Sequence, residues 1–171
     1  MNLEQAIKTA LEYENKVRDT YAYAETKATD PVGKRVFGVL GKEEQGHMDY
    51  LNHCLAEWKK TGKLTVESLD TVVPPQERIE KGLAAMRDQV SKRREMSSVE
   101  VEYLQKAIEA EQTTAGFYKK MVAEMDADGQ KLFARFVEIE EGHLAIVRAE
   151  MDSVQGLGYW FDMPEWQFQD G

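Results

Sequence analysis

Cysteine is nearly missing from this 171-residue chain, and basic charge, proline and long apolar runs are all scarce. With Cys54 alone, no intrachain disulfide, C-x-x-C redox pair or cysteine-built iron–sulfur or rubredoxin-type centre can form. The 22 Lys and Arg residues are outnumbered by 31 Asp and Glu, giving a formal net charge of −9. That balance argues against nucleic acid or an anionic membrane surface as a partner and is compatible with binding cations. No run approaches the roughly 18 apolar residues that span a bilayer. The opening stretch, MNLEQAIKTALEYENKV, has no basic segment leading into an apolar core, so no secretory leader is expected and a cytoplasmic location is. The four prolines (Pro31, Pro74, Pro75 and Pro164) leave long stretches in which a helix can run without interruption.

What is present is the material of a single globular domain, 42% hydrophobic and 31% charged. Apolar residues recur at alternating steps of four and three. The first series is Leu3, Ile7, Ala10, Glu14, Val17, Tyr21, Ala24, Ala28, and the second Phe37, Leu40, Glu44, His47, Leu51, Cys54, Trp58. The third is Leu104, Ala107, Glu111, Thr114, Tyr118, Met121, Met125, and the fourth Phe133, Phe136, Glu140, His143, Val147, Glu150, Val154. These are the seams of four long helices packed near-parallel. Asp30-Pro31 reads as an N-cap and first helical residue, and MDADGQ (Met125 to Gln130) as a second short turn. Residues 61–96 form a long crossover, with a short helix expected near Gln76 to Val90. Two hairpins joined in this way make an all-α, ferritin-like four-helix bundle over residues 1–154. Residues 155–171, with Tyr159, Trp160, Phe161, Trp166 and Phe168, lose the helical period and are expected to strap the bundle or cover a partner.

The halves repeat. ALEYENKVRDTY (Ala10 to Tyr21) matches AIEAEQTTAGFY (Ala107 to Tyr118) at an offset of 97 residues. DPVGKRVFGVLGKEEQGH (Asp30 to His47) matches DADGQKLFARFVEIEEGH (Asp126 to His143) at 96.

Each seam is broken by one carboxylate at matching places: Glu14, Glu44, Glu111 and Glu140. Two seams add a histidine three residues later, His47 and His143, on the same helix face as the preceding Glu. Four buried carboxylates repel one another and each is costly unless protonated, paired or metal-bound. The seams carry no Lys or Arg. Two divalent cations would balance the four charges, with the imidazoles binding neutral. One Glu from each of two helices and Glu-x-x-His from each of the other two is the di-metal carboxylate arrangement of four-helix bundles. Such oxygen-rich ligands with two imidazoles favour iron or manganese over copper or structural zinc.

The repeat also settles neighbouring choices. Glu44 aligns with Glu140, whereas Glu43 aligns with Ile139; Glu12 and Glu109 are duplicated but point away from the seams. Tyr21 and Tyr118, seven residues past Glu14 and Glu111, are either core phenols or functional ones, as hydrogen-bond partners of a ligand carboxylate or as redox-active phenols near the metals. His53 reads as a surface residue and Cys54 as a small buried hydrophobe. Gly46 and Gly142, each preceding a seam histidine, suggest close packing by the crossover or a second subunit.

On these residues (Glu14…Tyr21, Glu44-x-x-His47, Glu111…Tyr118, Glu140-x-x-His143) the chain resembles the rubrerythrin-like branch of the ferritin-like superfamily. The resemblance implies two iron ions, bridged by Glu44 or Glu111 together with Glu140, and ended by Glu14, His47 and His143. It implies reaction with peroxide or dioxygen, as an oxidoreductase in defence against oxidative stress. Two departures stand out. The chain has no rubredoxin domain, so a separate electron donor, such as a rubredoxin, is expected. Thr114 occupies the place of a further carboxylate three residues after Glu111, with Glu150 a weak substitute. The same site admits ferroxidase iron handling, or a metal-stabilised binding protein without catalysis. A homodimer is the expected assembly.

Overall fold

In a computed structural model, residues 1–64, 68–85 and 98–155 are described. They form five helices, α1 Leu3–Lys27, α2 Pro31–Thr61, α3 Gln76–Ala85, α4 Ser98–Glu124 and α5 Ala127–Gln155, with no strand among the described residues. The protein is an all-α helical bundle. α1 pairs with α2 and α4 with α5, the two hairpins meet along α1 and α4, and α3 lies on α5.

Local chemistry sets the helix ends. Asn2 and Gln5 form a reciprocal capping box at the start of α1, with Gln5 N–H donating to Asn2 Oδ1 at 2.8 Å. Asp30 caps α2 through Gly33 N–H at 2.7 Å, with Pro31 at the first helical position. α2 stops at Gly62, whose φ of 70° is the left-handed conformation that glycine adopts without steric cost. The second hairpin turns on Met125 and Asp126 alone, and Asp126 Oδ1 accepts from Gly129 N–H at 3.0 Å. Buried Glu100, at the start of α4, accepts from Thr29 N–H (2.5 Å), Asp30 N–H (2.8 Å) and Thr29 Oγ1 (3.0 Å), tying the second hairpin to the turn of the first.

The expected seams are buried nearly throughout; only Leu3, Ala28 and Trp58, at helix ends, are half-exposed. They build two apolar clusters. One includes Val17, Tyr21, Phe37, Leu40, Leu104 and Val147; the other includes Ile7, Leu51, Tyr118, Met121, Phe133 and Phe136. Full burial of each large apolar side chain contributes about 1.5–3 kcal/mol. The Glu and His positions of every helix fall between these clusters, so a polar layer lies inside a dry bundle.

The crossover helix expected near Gln76 to Val90 is present over Gln76–Ala85; residues 86–97 lie outside the described residues, as does the aromatic tail 156–171. Two features depart from the sequence reading. α5 buries a second stripe (Leu132, Ile139, Gly142, Ile146, Ala149 and Ser153) because the crossover and α3 cover its outer flank. Close packing is found at one of the two paired glycines. A Cβ on Gly142 would meet Pro74 O at 2.9 Å, whereas one on Gly46 would meet nothing within 4 Å.

Candidate metal centre

All six seam ligands are buried: Glu14, Glu44, Glu111, Glu140 and His143 are 0% exposed and His47 is 1% exposed. They converge. Nδ1 of His47 lies 3.1 Å from Glu14 Oε2, 3.3 Å from Glu44 Oε2 and 3.3 Å from Glu140 Oε1. Nδ1 of His143 lies 2.8 Å from Glu44 Oε1, 3.6 Å from Glu140 Oε2 and 3.8 Å from Glu111 Oε1. The imidazoles stack at 5.3 Å between centroids, and Phe136 meets His47 edge-on at 5.4 Å.

Three overlapping groups could each hold an ion; Glu43, His47 and His143 at the rim form the smallest, and the other two have four members each. Of these two, one is Glu14, Glu44, His47 and Glu140; the other is Glu44, Glu111, Glu140 and His143, the ligand atoms of each lying within 4.8 Å of one another. Glu44 and Glu140 are common to both four-member groups and Glu111 belongs to one. Of the two bridging pairs left open by the sequence, Glu44 with Glu140 is therefore the pair that the geometry favours.

The phenols are part of this layer. Tyr21 donates its hydroxyl hydrogen to Glu111 Oε1, and Tyr118 donates to Glu14 Oε1. This crossed pairing requires α1 and α4 to run antiparallel. Each phenol satisfies one oxygen of a carboxylate, while Glu111 Oε2 and Glu14 Oε2 are left for the centre. Thr114 is buried but donates to Ala110 O at 3.0 Å, and Glu150 is buried outside all three groups. Glu12, Glu109 and His53 are exposed, and Cys54 is buried, as their positions on the helices imply.

Buried polar atoms ordinarily find a partner. Here Glu44 Oε2, Glu111 Oε2, both oxygens of Glu140 and Nε2 of both histidines have none. Four of these six are carboxylate oxygens, which can only accept, and no Lys or Arg approaches them among the described residues. A divalent cation pair satisfies the four carboxylate oxygens in number and in chemistry, while the two Nε2 atoms, turned away from the centre, need partners of their own. The donor set fits a di-metal centre.

Without metal the layer holds protons. Burial raises the carboxyl of Glu111 well above its ordinary value, with Glu140 and Glu44 adding to it, and burial with Glu14 raises that of Glu44. Burial opposes charge on the imidazoles, but the carboxylates, Glu44 foremost, outweigh it and hold His47 and His143 well above their ordinary values. Groups with raised folded-state values bind protons more tightly folded than unfolded, so their stabilisation is present at low pH and lost as pH rises. The chelator-treated protein should therefore melt at progressively lower temperature from about pH 5 to pH 8, above the ordinary carboxylate value and through the imidazole range. Calorimetry across that range checks this, and a flat or rising melting temperature contradicts it.

Glu43, set aside on the repeat, sits at the rim. It is half-buried, accepts from Thr71 Oγ1, and places Oε2 3.9 Å from Nε2 of His143. The i, i+4 spacing along α2 turns Glu43 toward His47, and the three residues Glu43, His47 and His143 form a group of their own; only the approach to His143, which crosses to α5, lies beyond spacing. Comparison with protein-family models, with curated proteins and with solved structures finds no match for this chain.

Proposed function

We propose that this protein is a di-iron oxidoreductase that reduces hydrogen peroxide or dioxygen, in the manner of rubrerythrin-like proteins. The observation that carries the reading is the convergence of four Glu and two His side chains in one buried layer, with six polar atoms left unpartnered. Glu44 and Glu140 would be shared between two ions; Glu14 with His47, and Glu111 with His143, would complete the two sets. When bound, two ferrous ions supply the two electrons that peroxide reduction needs. The protein's part is to fix and insulate. Nδ1 of each histidine faces the centre, and the apolar clusters on either side exclude water. Burial pushes both phenols further above their ordinary range, the carboxylates adding to it, so Tyr21 and Tyr118 stay protonated and keep donating to Glu111 and Glu14. With Cys54 the only thiol, re-reduction falls to a separate donor.

A second reading, ferroxidase chemistry on iron passing through the same layer, draws slighter support from an acidic cleft between α3 and α5. Glu77, Glu80, Glu138 and Glu141 line it, with Lys81, Arg135 and Lys119 paired to Glu77, Glu138 and Glu141 and so offsetting much of their charge. One experiment separates the readings: stopped-flow oxidation of anaerobically loaded ferrous protein by peroxide and by oxygen. The peroxidase reading expects two irons oxidised per chain, faster with peroxide. Repeated oxidation of many ferrous ions per chain by oxygen, without acceleration by peroxide, makes it a ferroxidase.

A further inference from the structure

The halves of the chain supply matching ligands, yet the two imidazoles have different surroundings. Among the described residues the crossover strap lies over one of them only. Pro74 and Val73 rest on Gly142, the neighbour of His143, while the matching Gly46, the neighbour of His47, faces open space. Arg135 anchors the strap by donating to Leu69 O at 3.1 and 2.9 Å. Under the strap, Glu43 extends from α2 toward α5. Thr71 Oγ1 donates to its Oε2, and Val72 N–H lies 3.5 Å from its Oε1.

Both Nε2 atoms are buried without a hydrogen bond. Glu43 forms, with His47 and His143, a group whose ligand atoms lie within 4.8 Å of one another; its closest approach is to His143, Oε2 to Nε2 at 3.9 Å. That is about 1 Å beyond the ordinary hydrogen-bond range, a gap that a small side-chain rotation closes. At the position matching Glu43 in the second half stands Ile139, which can accept nothing.

A metal-ligating imidazole carries its proton on the nitrogen turned away from the metal. A carboxylate accepting that N–H fixes the tautomer and the ring orientation and makes the ligand more basic; loss of such a partner typically costs 10- to 100-fold in metal affinity. An N–H left unpaired in a dry site carries the opposite penalty. Resting on the metal-centre reading above, we infer that Glu43 is a positioning residue that makes the two metal positions unequal. It accepts from Nε2–H of His143, so the position built from Glu44, Glu111, Glu140 and His143 binds a divalent cation more tightly than the position that uses His47.

Cobalt(II) titration of the metal-free, full-length protein tests this, followed by visible absorption and calorimetry. Wild type should fill in two resolved steps. In Glu43→Ala the tighter step should weaken by about 10- to 100-fold while the weaker one stays in place. Glu43→Gln, which keeps an acceptor oxygen, should recover part of the difference, and Thr71→Val, which frees the carboxylate from its tether, should show a smaller loss at the same step. Circular dichroism of each metal-free variant verifies that it folds. A Glu43→Ala protein with both steps unchanged, or with both shifted equally, overturns the inference while leaving the metal centre intact. A wild type that takes up no cobalt removes the centre itself, and the inference with it.

Discussion

Loading the protein with two divalent ions should raise its melting temperature by about 15–30 °C. An ion that binds the folded chain alone, at free concentrations near 1,000 times its dissociation constant, stabilises by about 4 kcal/mol, and two such sites give about 8 kcal/mol. In a chain of this length each kcal/mol moves the midpoint by about 2–4 °C. The gain is large because the layer is ill-suited to being metal-free: four carboxylates share one buried space, and four of their oxygens lack partners. Calorimetry with manganese(II), or with iron(II) under anaerobic conditions, measures it directly. A chelator should reverse the shift, and the double substitution His47→Ala/His143→Ala should abolish it. A rise of only a few degrees at saturating metal would show that the six side chains do not act as one binding site.

The second large effect runs the other way. Making the layer apolar throughout should produce a metal-free protein more stable than the wild type without its metals. The variant carries Met at 14, 44, 111 and 140, Leu at 47 and 143, and Phe at 21 and 118. Partial changes are poor tests, because removing one member leaves its neighbour buried and unpaired; Tyr21, for instance, would lose Glu111. Replacing a whole buried charged set by well-packed apolar groups is commonly neutral or favourable by about 1–4 kcal/mol. With four acids in the layer, the upper end of that range is expected, about 8–16 °C in melting temperature. The variant should take up no metal. If it melts below the chelator-treated wild type, the layer's internal pairing outweighs its desolvation, and the site is a structural element in its own right.

Most of the site was legible because a helix obeys one period. Glu14, Glu44, Glu111 and Glu140 stand out as acids on otherwise apolar seams, and the repeat chose Glu44 over Glu43 as the residue facing the centre. The same reasoning missed what a second layer of contacts creates. Leu132, Ile139 and Ile146 form a stripe that reads as a flank of α5 until α3 and the strap are laid over it. Gly46 and Gly142 look equivalent in the repeat, yet among the described residues the strap touches only the second. Glu43, four residues before His47, also approaches a histidine 100 residues away, a relation between α2 and α5 that no spacing along α2 reveals. Periodicity tells which face of a helix is buried; it does not tell what comes to lie across it. The choice between Glu44 and Glu111 as a shared ligand likewise needed coordinates, since both lie on buried seams and only Glu44 falls within reach of both imidazoles' groups.

Neither metal position belongs to a single hairpin. The set around His47 borrows Glu140 from α5, and the set around His143 borrows Glu44 from α2. During synthesis the first hairpin emerges with Glu14, Glu44 and His47 in place, but lacks the fourth ligand until some eighty residues more have been made. On the di-metal reading proposed above, ion capture would be coupled to the docking of the two halves. A chain arrested midway would present only a loose three-point grip, and the ions would serve as a clasp that closes once the whole molecule has come together.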